Sequence, residues 1–149
     1  MGYFKINENV HFGANTAIRK LKNIANRPYA TYRFTAFTLN SSTTTRTESL
    51  TINRTGRPVY LICTGDWNAG SGTNDWLDIK LLKNGTELKR VTIQGTNTSQ
   101  NNPFAATYLD TSSGTGSTSY TVTFSRGGGS GTCGENGDIQ APVFSVFEI

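Results

Sequence analysis

The sequence predicts an all-β domain, an antiparallel jelly-roll sandwich with an extended N-terminal arm. Three observations carry that expectation. Thr, Asn, Ser and Gly are abundant, and 8 Phe, 6 Tyr and 2 Trp stand against 16% charged residues, a balance that favours strands and turns over helices. Apolar residues recur at every second position in short runs such as Tyr120, Val122, Phe124, as they do on a strand with one buried face. Such runs return roughly every ten to fifteen residues with turn-forming stretches between them, the rhythm of a sandwich or jelly roll.

Residues 1–28 lack strand alternation and are read as a separate arm, with the β domain covering 29–149. Ile18, Leu21 and Ala25 share a helical face, but the patch is too short to hold a helix alone in water. The arm is expected to order on a partner, with Tyr3, Phe4, Phe12, Ile18, Arg19 and Leu21 as its docking residues; the alternative is a segment packed along its own barrel.

After Pro28 one long strand is expected, with Tyr32, Phe34 and Ala36 on one face and Phe37 and Leu39 on the other. The polar run 40–47 reads as a loop, followed by a short strand at Ser49–Asn53 and a turn at Arg54–Pro58. The most apolar run, Val59–Thr64, reads as a central strand. Residues 66–75 are expected to form a turn-rich loop. Trp76–Lys83 and Glu87–Gln94 flank Asn84-Gly85, whose residues both tolerate positive φ, so a tight hairpin is expected there. Another polar loop at 95–102 leads to a strand ending at Tyr108-Leu109-Asp110-Thr111. Ser119–Ser125 is a strand, 127–134 a flexible glycine-rich connection, and Ile139–Ile149 the closing strand.

The strand into Leu109-Asp110-Thr111, the Gly/Ser/Thr turn after it, Tyr120-Thr-Val-Thr-Phe124 and the closing Phe147-Glu148-Ile149 resemble the C-terminal part of the tumour-necrosis-factor-like and complement-globular-head-like jelly rolls. Such domains recur in virion proteins of tailed bacteriophages. The resemblance implies a homotrimer and no catalytic residues. On it rests the expectation of a structural virion protein on the outer surface of the particle, a decoration or cement protein that stabilises the phage head by docking its arm on the major capsid protein. Tyr120, Phe144 and Phe147 are then the trimer-interface candidates. The alternative is a short tail fibre or receptor-binding tip, held to a baseplate protein by the arm and touching host surface glycan. The absence of a shaft repeat or sustained heptad favours decoration over a fibre.

For the glycan alternative the stretch 66–78 is the place to look. Trp67 and Trp76 would supply an apolar plate for a sugar face, and Asn68 and Asn74 fixed polar groups for its hydroxyls. On that reading Trp67→Ala abolishes binding and leaves folding intact.

No metal or cofactor is expected, because the stretch 66–78 lacks the bidentate Glu of a calcium loop and the glycine run 127–134 lacks the Gly-Lys-Ser/Thr of a phosphate cradle. The formal charge of +4 is spread along the chain without a basic, aromatic-studded stripe, so nucleic acid is not an expected partner. Nor is membrane insertion, since no apolar run approaches spanning length. Without a secretory leader the chain is expected to be made in the host cytoplasm. His11, the sole histidine, has no paired nucleophile, so no enzyme is expected. Cys63 reads as a buried strand residue, and Cys133 as an exposed thiol open to an intermolecular disulfide.

Overall fold

The computed structural model describes residues 26–70, 75–95, 101–134 and 141–149. The arm residues Tyr3, Phe4, Phe12, Ile18, Arg19 and Leu21, and Asn74, lie outside them. The described strands are β1 (Tyr29–Arg33), β2 (Phe37–Leu39), β3 (Thr45–Thr55), β4 (Val59–Ala69), β5 (Trp76–Lys83), β6 (Thr86–Gln94), β7 (Asn101–Asp110), β8 (Thr115–Arg126), β9 (Gly131–Cys133) and β10 (Val143–Glu148). They pair antiparallel throughout in two packed sheets, giving an all-β jelly-roll sandwich. The front sheet runs β1-β10-β4-β9-β2 with β7 on the other side of β4, and the back sheet runs β3-β8-β5-β6. No helix among the described residues is long and apolar enough to cross a membrane.

β4 is the central strand that its apolar run predicts, but it continues five residues past Thr64. The alternation persists inside a stretch that looks like a loop: Trp67 and Ala69 point to the core while Asp66 and Asn68 point to the opposite face. Pairing with β7 from Val59↔Asp110 to Asn68↔Asn101 supports that full length. β3 is likewise longer than the Ser49–Asn53 strand, because its polar first half pairs residue for residue with β8.

The single long strand expected after Pro28 is two strands. β1 pairs β10 as far as Arg33↔Val143, and the residue before Val143 is Pro142, which has no amide to extend the ladder. Phe34 N instead donates to Pro142 O at 2.8 Å, and the chain crosses to pair β2 with β9. The β5–β6 hairpin is as expected, with Asn84 at φ 47° and Gly85 at φ 84°, the geometry of a two-residue type I′ turn.

Between the sheets lies an aromatic core in which Phe124 meets Phe34 at 5.2 Å, Phe37 at 5.3 Å and Phe104 at 6.1 Å between ring centroids. Leu61, Leu77, Ile79, Leu81, Val122 and Val146 complete it. Tyr120 and Phe144 are fully buried here as well, which corrects their reading as trimer contacts: they face the opposite sheet of their own chain. Phe147, one position out of phase with Phe144 and Val146, faces outward.

The glycine-rich run is not a flexible connection where it is described. Gly131 opens β9, and a Cβ on it would stand 2.3 Å from the Trp67 ring and 2.5 Å from the Asn68 carbonyl oxygen. Gly131→Ala is therefore expected to lower stability by about 1–3 kcal/mol, the cost of overpacking, read as a lower urea midpoint with an unchanged slope. Cys133 is fully buried beside it, so the exposed thiol expected from the sequence is withdrawn from solvent and from any partner thiol. Burial pushes the Cys63 thiol up to about 12 and raises the Cys133 thiol as well.

Candidate functional site

Two features stand out from a self-sufficient sandwich. The first is the outer face of the front sheet. Register places Tyr29 beside Phe147, Phe147 beside Tyr60, and Tyr60 beside Leu109, in one row across β1, β10, β4 and β7. Three strand spacings make that row roughly 14 Å wide. Tyr29 is 74% exposed and Leu109 43%, while Tyr60 and Phe147 are half-buried and meet edge to face at 5.5 Å. The next row is Thr31, Ser145, Ile62 and Thr107. Neither row holds a carboxylate or a basic side chain; Arg33 opens the third, with Val143, Thr64 and Ala105. Beyond it a cleft of about 450 Å³ is lined by Thr64, Asp66, Asn101, Pro103 and Val143. There Asp66 Oδ1 accepts from Gly134 N at 2.9 Å.

The second feature is a buried polar cluster centred on Asp110, at the end of β7. Asp110 Oδ1 accepts from Ser112 N at 3.0 Å and from Ser112 Oγ at 2.6 Å, capping the turn that follows β7. Its other oxygen does more. Tyr120 Oη donates to Oδ2 at 2.7 Å, Lys83 Nζ lies 2.8 Å from it, and Arg54 Nη1 is 3.5 Å away. Arg54, buried, also donates through Nη2 to Ser112 O at 2.6 Å and Arg57 O at 3.0 Å. Burial alone would push the Asp110 carboxyl up, but hydrogen bonds from Lys83, Ser112 and Tyr120 outweigh it and hold it well below the usual carboxylate range. The Tyr120 hydroxyl moves the other way, through burial and its bond to Asp110. Across β4, on β10, Glu148 accepts from Thr55 N, Thr55 Oγ1 and Arg57 N at 2.7, 2.6 and 3.2 Å. These bonds overcome the upward push of burial and lower its carboxyl too.

Beside Asp110 the sandwich opens laterally into a groove of about 540 Å³ between β6 and β7, walled by Lys83, Asn84, Thr86, Leu88, Tyr108 and Thr111. Strand and turn residues form it, and no run of charge or aromatics marks it in the sequence. Asp110 closes β7 and Tyr120 sits inside β8, and nothing in either local run signals that the short connection 111–114 brings the two side chains into one site.

The three described glycan candidates, Trp67, Asn68 and Trp76, do not assemble. Trp67 is fully buried under Gly131 and cannot serve as a sugar plate. Asn68 is nearly buried, its Nδ2 donating to Asn101 Oδ1 at 3.1 Å. Trp76, 38% exposed, stands at the start of β5. Asp66 and Asp110 are also apart, the first in the front-sheet cleft and the second in the lateral groove. Among the described residues no three His, Cys, Asp or Glu side chains gather to hold a metal ion.

No protein-family profile matches the chain, and no curated protein does. Among solved structures it is similar to dimeric latent PorU from Porphyromonas gingivalis, at 9% identity and a TM-score of 0.51 over 82% of this chain and 13% of that one. The CBM36-1 domain of a multidomain xylanase from the hindgut metagenome of Trinervitermes trinervoides gives 11% identity and a TM-score of 0.48, over 85% of this chain and 93% of that one. Infectious bursal disease virus Gx strain gives 12% and 0.38, over 80% and 35%. At such identities the PorU likeness bears on fold alone, and the lower-scoring pairs decide nothing further.

Proposed function

We propose that this chain is a non-enzymatic structural protein of a tailed-phage virion, a homotrimeric capsid decoration protein whose copies meet through the outer face of the front sheet. The observation that carries the reading is the row Tyr29, Phe147, Tyr60, Leu109 backed by Thr31, Ser145, Ile62 and Thr107. Aromatic enrichment and charge depletion are what distinguish the centre of a protein–protein contact from ordinary surface. A sugar would need fixed polar groups beside the rings, and these two rows supply little beyond hydroxyls. Phe147 keeps its role as an interface candidate, with Tyr29 and Tyr60 taking the places of Tyr120 and Phe144. The arm joins the domain at β1, the strand that carries Tyr29, through Pro28, whose carbonyl accepts from Glu148 N at 3.0 Å. In a decoration protein the arm would dock on the major capsid protein.

Light scattering tests the assembly. The full-length chain is expected to show three times its own mass, and the double variant Tyr60→Arg, Phe147→Arg to be a folded monomer with unchanged near-ultraviolet circular dichroism. A wild-type monomer would remove the reading. Removal of residues 1–26 is expected to leave the trimer and abolish binding to empty capsids; loss of binding to baseplates instead would move the protein from the head to the tail.

A further inference from the structure

We infer that the lateral groove beside Asp110 is a binding site for a carboxylate-bearing sugar. The reading stands apart from the assembly proposal, since the groove lies at the β6–β7 opening and not on the front-sheet face.

The polarity of the groove follows from which groups are already engaged. Asp110 accepts from Ser112 on one oxygen and from Tyr120 and Lys83 on the other, with Arg54 close by, so it has little capacity left for a ligand donor. Lys83 uses two of its three ammonium hydrogens on Asp110 and Ser112 Oγ, which fixes the head and leaves one N–H. Asn84 is also fixed: its N donates to Ser119 O at 2.9 Å and its Oδ1 accepts from Ser119 N at 3.1 Å, leaving the amide N–H₂. Thr86 and Thr111 add hydroxyls.

The groove thus presents immobilised donors, with Lys83 on its wall and the buried Arg54 behind it, shared between the carboxylates of Asp110 and Glu148. A ligand that brings anionic oxygen acceptors fits those donors. Tyr108 and Leu88, both half-buried, provide an apolar wall, which a free inorganic anion could not use and the C–H face of a pyranose can. The volume falls within the range of small-molecule sites, about 300–1,000 Å³. Donors held in place by the fold's own network lose little freedom on binding.

The test is an NMR titration of the full chain with N-acetylneuraminic acid and with digalacturonate, using lactose as the neutral comparison. At least one acidic sugar is expected to shift the amides of Lys83, Asn84, Thr86, Tyr108 and Thr111, and to bind more tightly than lactose. Lys83→Met should weaken that binding about ten-fold or more, the loss expected for a hydrogen bond to a charged group. Because Lys83→Met also disturbs Asp110, Tyr108→Leu is the companion variant: it leaves the polar network intact and should weaken binding several-fold. Silence toward both acidic sugars at millimolar concentration, shifts that map elsewhere, or lactose bound equally well would each overturn the assignment. The solution mass of the same samples separates the two readings, since a monomer that binds the sugar defeats the trimer and not the groove.

Discussion

Asp110→Ala is expected to destabilise the domain by about 3–5 kcal/mol, the cost of removing one member of a buried charged pair and leaving the others behind. Arg54, with its side chain 1% exposed, would keep its charge and lose its counter-ion, and the buried Tyr120 hydroxyl would lose its acceptor. Urea denaturation followed by tryptophan fluorescence reads the loss. Asp110→Asn, which keeps an acceptor for Tyr120 but not the charge, should fall between. The same network sets the acid limit. The folded carboxyls of Asp110 and Glu148 both lie below their unfolded values, which are about 3.9 and 4.3. A depressed folded pKa contributes stability that is fully present above the unfolded pKa and is lost as pH falls below it. The wild-type urea midpoint should therefore hold from neutrality to about pH 5 and drop steeply below about pH 4, with a shallower drop in Asp110→Ala. Equal midpoints for wild type and variant at neutral pH would show that the cluster contributes nothing to the fold.

The second large effect is expected at Trp67. The sequence marks Trp67→Ala as a binding variant that leaves folding intact; the structure makes it a folding variant. The indole is fully buried, and truncating a buried Trp costs about 3–5 kcal/mol. Trp67→Phe should cost much less, because the buried Nε1 faces no acceptor and its removal relieves an unsatisfied donor while most of the ring volume stays. Differential scanning calorimetry of the two variants decides the matter. A Trp67→Ala chain that melts with the wild type would place the indole outside the core.

These two residues show where sequence reading succeeds and where it stops. Alternation found the core strands wherever one face was apolar, as at Val59–Thr64 and Tyr120–Phe124, and Asn84-Gly85 fixed a hairpin because few residue pairs tolerate its backbone. Alternation failed where the outward residues were Asp66 and Asn68 and the inward ones were separated by Gly65, so that a strand resembled a loop. It also gave Phe144 and Phe147 the same weight, although a one-residue difference in phase sends one into the core and the other to the surface. The front-sheet row and the Asp110 groove were illegible for a different reason: each joins residues from strands distant in the chain, and pairing partners are a property of topology, not of any local run.

Topology also has a consequence in time. Thr31 bonds to Phe144 and Ser145 across 113 and 114 positions, and β10 lies between β1 and β4 in the front sheet. A nascent chain therefore carries β1 unpaired until more than a hundred further residues have been made, and leaves one flank of β4 open until β10 follows. Folds dominated by such distant pairings reach the native state slowly, and their open strand edges are exposed to neighbours meanwhile. The back-sheet hairpin β5–β6, local and turn-encoded, can form early; closure of the front sheet is the late event that commits the chain.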